Sequence, residues 1–114
     1  MKSTRTHLLV WVTVPDRTVG RRIARAVLAD RLAACVNIVP GVESHYWWKG
    51  KIEKGRELWL VMKTTRARLP DLERRVRALH PYDTPECVAT PLVAGNDRYL
   101  AWIDASLRPG SGPE

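Results

Sequence analysis

The chain's pattern predicts an α+β fold: a ferredoxin-like split βαβ sandwich closed by a C-terminal helix. Three observations carry this expectation. Strand-like and helix-like stretches follow one another as β-α-β-β-α-β-α, which is two βαβ units joined by a hairpin. Each helix-like stretch inside those units has a single apolar stripe, so the helices cover one face of an antiparallel sheet. The middle two strands are far longer than the others, so a hairpin must project from the sandwich.

The elements follow in order. His7–Val14 is almost continuously apolar and rich in β-branched residues, as expected of a central strand buried on both faces. Pro15-Asp16 ends it, and Asp16 supplies a cap for a helix over Arg17–Arg31 with Val19, Ile23, Ala26 and Val27 as its stripe. Ala33–Trp48 returns to strand character, interrupted at Pro40-Gly41 by a bulge or bend. Lys49-Gly50 makes a tight turn, and Lys51–Thr65 runs back with an irregularity expected at Gly55. In its second half Leu58, Leu60 and Met62 take one face and Trp59, Val61 and Lys63 the other. A second helix over Ala67–Leu79 has Pro70 in its first turn and Leu69, Leu72, Val76 and Leu79 as its stripe. Glu86–Val93 is a shorter edge strand, because Pro91 cannot donate to a ladder. Asn96 or Asp97 then caps a last helix carrying Tyr99, Leu100, Ile103 and Leu107. Residues 1–108 form one domain, and 109–114 are expected to be a disordered tail.

Composition narrows the function classes. A length of 114 residues suits one domain with a real core. No apolar run approaches the ~20 residues that span a bilayer, and the N-terminus lacks a signal-peptide pattern, so no membrane partner is expected and the cytoplasm is the expected location. Cys35 and Cys87 lie in apolar strand surroundings and read as two buried thiols; no zinc-type spacing accompanies them. The net charge of +7 is the kind that attracts anions. The arginines, however, flank the helix stripes at Arg17, Arg21, Arg22 and Arg25 and at Arg74, Arg75 and Arg77, which reads as solvated helix faces. The chain has no Phe and no Gly-aromatic pattern on its strands, so no nucleic-acid partner is expected. There is no phosphate loop, nucleophile elbow or zinc-hydrolase spacing, so the chain reads as a non-enzyme without an organic cofactor.

The long hairpin argues for self-association. About 14 residues at ~3.3 Å each make an arm on the order of 45 Å, whereas the helices reach only about 20 Å. Its end carries Tyr46, Trp47 and Trp48, which on a free hairpin would invite aggregation. Burial against another subunit accounts for them, with an arm folded over its own sheet as the alternative. His80-Pro81-Tyr82-Asp83-Thr84-Pro85-Glu86 is the densest site candidate. It puts an imidazole, a phenol and two carboxylates on a backbone fixed by two prolines. His80 reads either as a ligand or as a helix C-terminal histidine donating to the last carbonyls. Lys63, on an apolar strand, calls for a partner such as Glu86 or Asp83. Lys63, Tyr82, Trp48 and Tyr46 are candidates for an interface or ligand cleft. His7 and His45 show no partner spacing.

Six ordered blocks resemble the CutA family, the divalent-cation tolerance proteins. They are Leu28–Asn37; Pro40-Gly41-Val42 with Ser44 and Tyr46; Trp48–Glu53; Lys63-Thr64-Thr65; His80–Glu86; and Tyr99–Ile103. The resemblance implies a ferredoxin-like subunit in a homotrimer and a link to divalent-metal tolerance, copper above all. It also implies a fold-level likeness to trimeric signalling proteins that bind small ligands between subunits, which is the alternative function. Copper binding in the family is associated with a cysteine near the end of the first strand and with paired histidines entering the loop. Here those positions hold Val12 and Leu79, and only His80 is kept. That removes a soft Cu(I) site and leaves His80 with Glu86 or Asp83, completed by a second subunit, for Cu(II) or another divalent cation such as Zn(II).

Overall fold

The computed structural model describes residues 1–109, so nearly all of the expected tail lies outside the described residues. Among the described residues there are nine elements: β1 (Lys2–Ser3), β2 (His7–Val14), α1 (Arg17–Ala29), β3 (Cys35–Trp48), β4 (Lys51–Thr65), α2 (Leu69–Leu79), β5 (Cys87–Pro91), β6 (Ala94–Gly95) and α3 (Asp97–Leu107). The main sheet has the order β3-β4-β2-β5, antiparallel throughout, which is the ferredoxin-like arrangement. β2 is central, and β5 is an edge strand that stops at Pro91. The sequence patterns gave no sign of β1 and β6, a two-residue ribbon that ties the N-terminus to the chain before α3.

Alternation along the strands builds the core. Val10, Val12 and Val14 of β2 and Leu60 and Met62 of β4 meet Val19, Ile23 and Val27 of α1 and Leu72 and Val76 of α2. All but Val19 of these are fully buried. Asp16 caps α1 by accepting from the Val19 amide, and Asn96 caps α3 by accepting from the Tyr99 amide, each satisfying an otherwise orphaned donor.

The opposite face of the sheet corrects the expectation of a first strand buried on both sides. Leu9 and Trp11 on β2, Trp59 and Val61 on β4, Val39 on β3 and Val88 on β5 lie on this second face. Only one end of it is covered, by α3. There His7 bonds Asp104 at 2.9 Å, and Leu100, Ile103 and Leu107 pack with Ala34. The remainder is half-exposed, and the Trp11 and Trp59 rings meet edge to face with centroids 5.6 Å apart.

Beyond a bulge between Val39 and Val42 the β3–β4 hairpin leaves the sandwich as a two-stranded arm, and the molecule's long dimension is 45 Å. Lys49 (φ 50°) and Gly50 (φ 78°) both turn through the left-handed region, which gives a two-residue hairpin turn matched to strand twist. Gly55 sits in regular pairing with Ser44, so the irregularity expected there belongs to Pro40-Gly41 alone. Near the tip Trp47 is 72 % exposed and its cross-strand neighbour Ile52 66 % exposed.

Candidate functional site

The loop after α2 lies against the root of the arm, and two side chains hold it there. His80 is buried; its Nε2–H donates to the Thr13 carbonyl at 2.7 Å, and its Nδ1 accepts from the Tyr82 amide at 3.2 Å. Both ring nitrogens are therefore used within the chain. The expected helix-end histidine thus donates across to β2, not to its own helix. The Tyr82 hydroxyl donates to Glu57 Oε2 at 3.1 Å, and its ring lies 4.6 Å from that of His80.

Glu57 is the residue that sequence reasoning missed. It sits half-buried just past the bulge, opposite Val42. In sequence it is one charge among several on an exposed arm, and its partner is 25 residues away. Its charge reaches both neighbours. The Tyr82 phenol is pushed up to about 12, first by burial and then by the hydrogen bond to Glu57. The Glu86 carboxyl is raised above its usual value, first by burial and then by Glu57. Two carboxylates and a phenol thus share one partly desolvated corner, where like charges disfavour full ionisation. Asp83 is exposed at the loop tip, with no hydrogen bond or ion pair among the described residues.

The other sequence candidates lie elsewhere. Lys63 does not pair with Glu86 or Asp83; its ammonium contacts Asn37 Oδ1 and lies 3.8 Å from Cys35 Sγ. The physical reason is position: six residues along β4 separate it from Glu57, roughly 20 Å. Tyr46 lies on the arm near enough to Tyr82 to act on it electrostatically, whereas Trp48 sits near the tip with the Lys49 ammonium 5.8 Å from its ring centre. Cys35 and Cys87 are free, half-buried and on opposite faces of the sheet, which rules out both a disulfide and a shared soft-metal site. Burial pushes the Cys87 thiol up to about 11. His7 and His45, without visible partners in the sequence, pair with Asp104 and Glu43.

The fit to a metal can be tested on these contacts. Among the described residues, no group of three or more His, Cys, Asp or Glu is arranged to hold an ion. His80 has no free lone pair in this arrangement. Among the described residues, this corner offers a cation carboxylate oxygen, from Glu57 and Glu86, and no imidazole nitrogen.

These features define a class: a ferredoxin-like subunit with a projecting two-stranded arm, one uncovered sheet face and a carboxylate-bearing corner at the arm's root. The family model described as "CutA1 divalent ion tolerance protein" matches residues 8–106. The chain belongs to the CutA1 family. It is 52 % identical over 95 residues to the divalent-cation tolerance protein CutA of Thermus thermophilus, covering 83 % of this chain and 92 % of that one. It is 46 % identical over 111 residues to the chloroplastic CutA 1 of Oryza sativa subsp. japonica, covering 95 % of this chain but 63 % of the longer relative. Among solved structures, CutA1 from Oryza sativa superposes with a TM-score of 0.88 at 45 % identity, over 94 % of this chain and 98 % of that one. The Archaeoglobus fulgidus structure, named as periplasmic, gives 0.87 at 37 % identity, over 90 % and 99 %. The names of these relatives thus place them in more than one compartment.

Proposed function

We propose that this protein serves divalent-cation tolerance, copper included, as a cytoplasmic homotrimer whose cation site forms at the arm's root only when a second copy adds ligands. The observation that carries the reading is the pair of carboxylates, Glu57 and Glu86, held around Tyr82 beside a sheet face that its own chain leaves uncovered. Burial and the charge of Glu57 raise the Glu86 carboxyl, and a cation between the two carboxylates would relieve their repulsion. His80 acts as a positioning residue, since its ring braces the loop against β2. Asp83, exposed on the same loop, would add a further oxygen donor from the loop side. Oxygen donors suit a hard or borderline ion, Cu(II) or Zn(II) over Cu(I).

Titration calorimetry with CuCl₂ on the wild-type protein and on the Glu57→Gln/Glu86→Gln double variant tests the site. The expected result is affinity at least about tenfold weaker in the double variant, the scale on which losing a ligand acts. Equal affinity in the two proteins overturns the assigned site.

The second reading is a trimeric regulatory protein that binds a small molecule and no physiological metal. It is favoured by a shallow groove of about 450 Å³ beside Glu57, lined by Pro15, Val42, Glu43, Arg56 and Leu58. The Arg56 cation beside the Glu43 and Glu57 carboxylates would orient a polar ligand. A retained organic molecule in native mass spectra, without copper heat in the titration, selects this reading.

A further inference from the structure

Most of the net charge of this protein falls in two segments. Residues 16–31 and 66–79, which hold α1, α2 and the turns beside them, carry ten arginines and four acids, so they account for six of the chain's seven net positive charges. The structure then separates the two helices. On α2, Arg74 pairs with Asp71, Arg77 with Glu73, and Arg75 reaches Asp30 at the end of α1. The fourth acid, Asp16, is engaged in capping α1. Arg31, Arg66 and Arg68 donate to backbone carbonyls. Arg17, Arg21, Arg22 and Arg25 on α1 are exposed and have no hydrogen-bond or carboxylate partner among the described residues. Three of them recur every four residues, so they rise in steps of about 6 Å along one line of the helix.

We propose that the outer face of α1 is a docking surface for the phosphate backbone of a nucleic-acid duplex, bound without sequence preference. Guanidinium groups match phosphate oxygens two at a time, and a duplex presents those phosphates as a rigid row that costs no ordering on binding. The chemistry of the face selects among polyanions. The apolar stripe of α1, Val19, Ile23 and Val27, is spent in the protein's own core, so this helix has nothing to insert into a lipid surface. No aromatic side chain lies on α1, so unpaired bases have no stacking platform there. The large exposed aromatics, Tyr46, Trp47, Trp48, Tyr82, Tyr99 and Trp102, are on the arm, the loop after α2 and α3. The helix layer lies on the opposite side of the sheet from the uncovered face, so assembly through that face leaves α1 free. This inverts the reading of the arginines as a solvated face, because the acids that would neutralise such a face are used up on α2 and at the cap.

The experiment is fluorescence anisotropy of a short mixed-sequence duplex DNA titrated with the full chain at several salt concentrations. Neutralising four phosphates gives a log–log salt slope of about −3.6, a loss on the order of a hundredfold between 50 and 200 mM salt. The variant R17Q/R21Q/R22Q/R25Q is expected to lose at least about tenfold in affinity and most of the slope, whereas R74Q/R75Q/R77Q keeps both within about threefold. The quadruple Arg→Lys variant retains the slope. Glutamine and lysine are close to arginine in helix propensity, and an unchanged far-UV spectrum and melting temperature show that α1 is intact. Absence of duplex binding at 50 mM salt, equal losses in the two Gln variants, or binding to anionic phosphatidylglycerol vesicles without binding to duplex each overturns the proposal.

Discussion

Glu86 shows how a single residue at the candidate site can carry a stability cost. Its carboxyl is raised by burial and by Glu57, so the folded chain holds its proton more tightly than the unfolded chain does. Stability from that proton is fully present below the ordinary carboxylate pKa and is lost as pH rises through the raised one. At pH 7 Glu86→Gln is therefore expected to raise the melting temperature by a few degrees, and the gain should vanish near pH 3, below the ordinary carboxylate pKa, where Glu86 is neutral in both states. Thermal melts at the two pH values check this; destabilisation at pH 7 would mean that Glu86 makes a favourable contact outweighing its repulsion. Tyr82 behaves the same way at the alkaline end: its contribution is present below about pH 10 and is lost as pH rises through about 12. His80 works in the opposite sense. His80→Ala leaves the buried Thr13 carbonyl without its donor and opens a cavity, so a loss of roughly 1–3 kcal/mol is expected in urea unfolding.

At the scale of elements, most of the fold was legible because local chemistry and tertiary need agree. The alternation Leu58, Leu60, Met62 and the α1 stripe fixed which faces meet, and Pro40-Gly41 marked the bulge. What could not be read is what depends on pairs distant in sequence. An apolar strand such as β2 looks the same whether its second face is covered by its own chain or by another molecule. The partner of Lys63 was misjudged because strand length, not charge complementarity, separates it from the loop. Glu57 and the His7–Asp104 contact were invisible for the same reason; the latter spans 97 residues. The arm's turn, by contrast, is specified locally. Gly50 has φ 78° and nothing within 4 Å of where a Cβ would stand. The cost of Gly50→Ala is thus backbone strain alone, about 1 kcal/mol, and urea unfolding measures it. A much larger loss would show that the turn is buried in an assembly.

The whole molecule presents an imbalance that a single chain does not resolve. One face of the sheet is closed by α1 and α2, while the other leaves Trp11, Trp59, Val61, Val39 and Val88 part-exposed, and α3 adds the exposed Tyr99 and Trp102. Single exposed apolar residues are ordinary on a protein surface; an uncovered sheet face with a tryptophan pair, on a molecule whose arm is tipped with Trp47, is not. Trimeric assembly would remove the imbalance if three such faces met, and the proposed cation site requires that it also bring a neighbour to the corner held by Glu57 and Tyr82. The decisive substitution is Trp59→Arg. On a free sheet face an arginine at a half-exposed position reaches water and is tolerated, so the chain still folds. Between subunits the same charge is buried without a partner, at a cost of several kcal/mol. Light scattering on the wild-type protein is expected to give three times the chain mass of 13.0 kDa, and on Trp59→Arg the mass of one chain with an unchanged far-UV spectrum. A wild-type mass of one chain overturns the trimer. A variant that keeps the threefold mass moves the contact away from the open face and onto the arm.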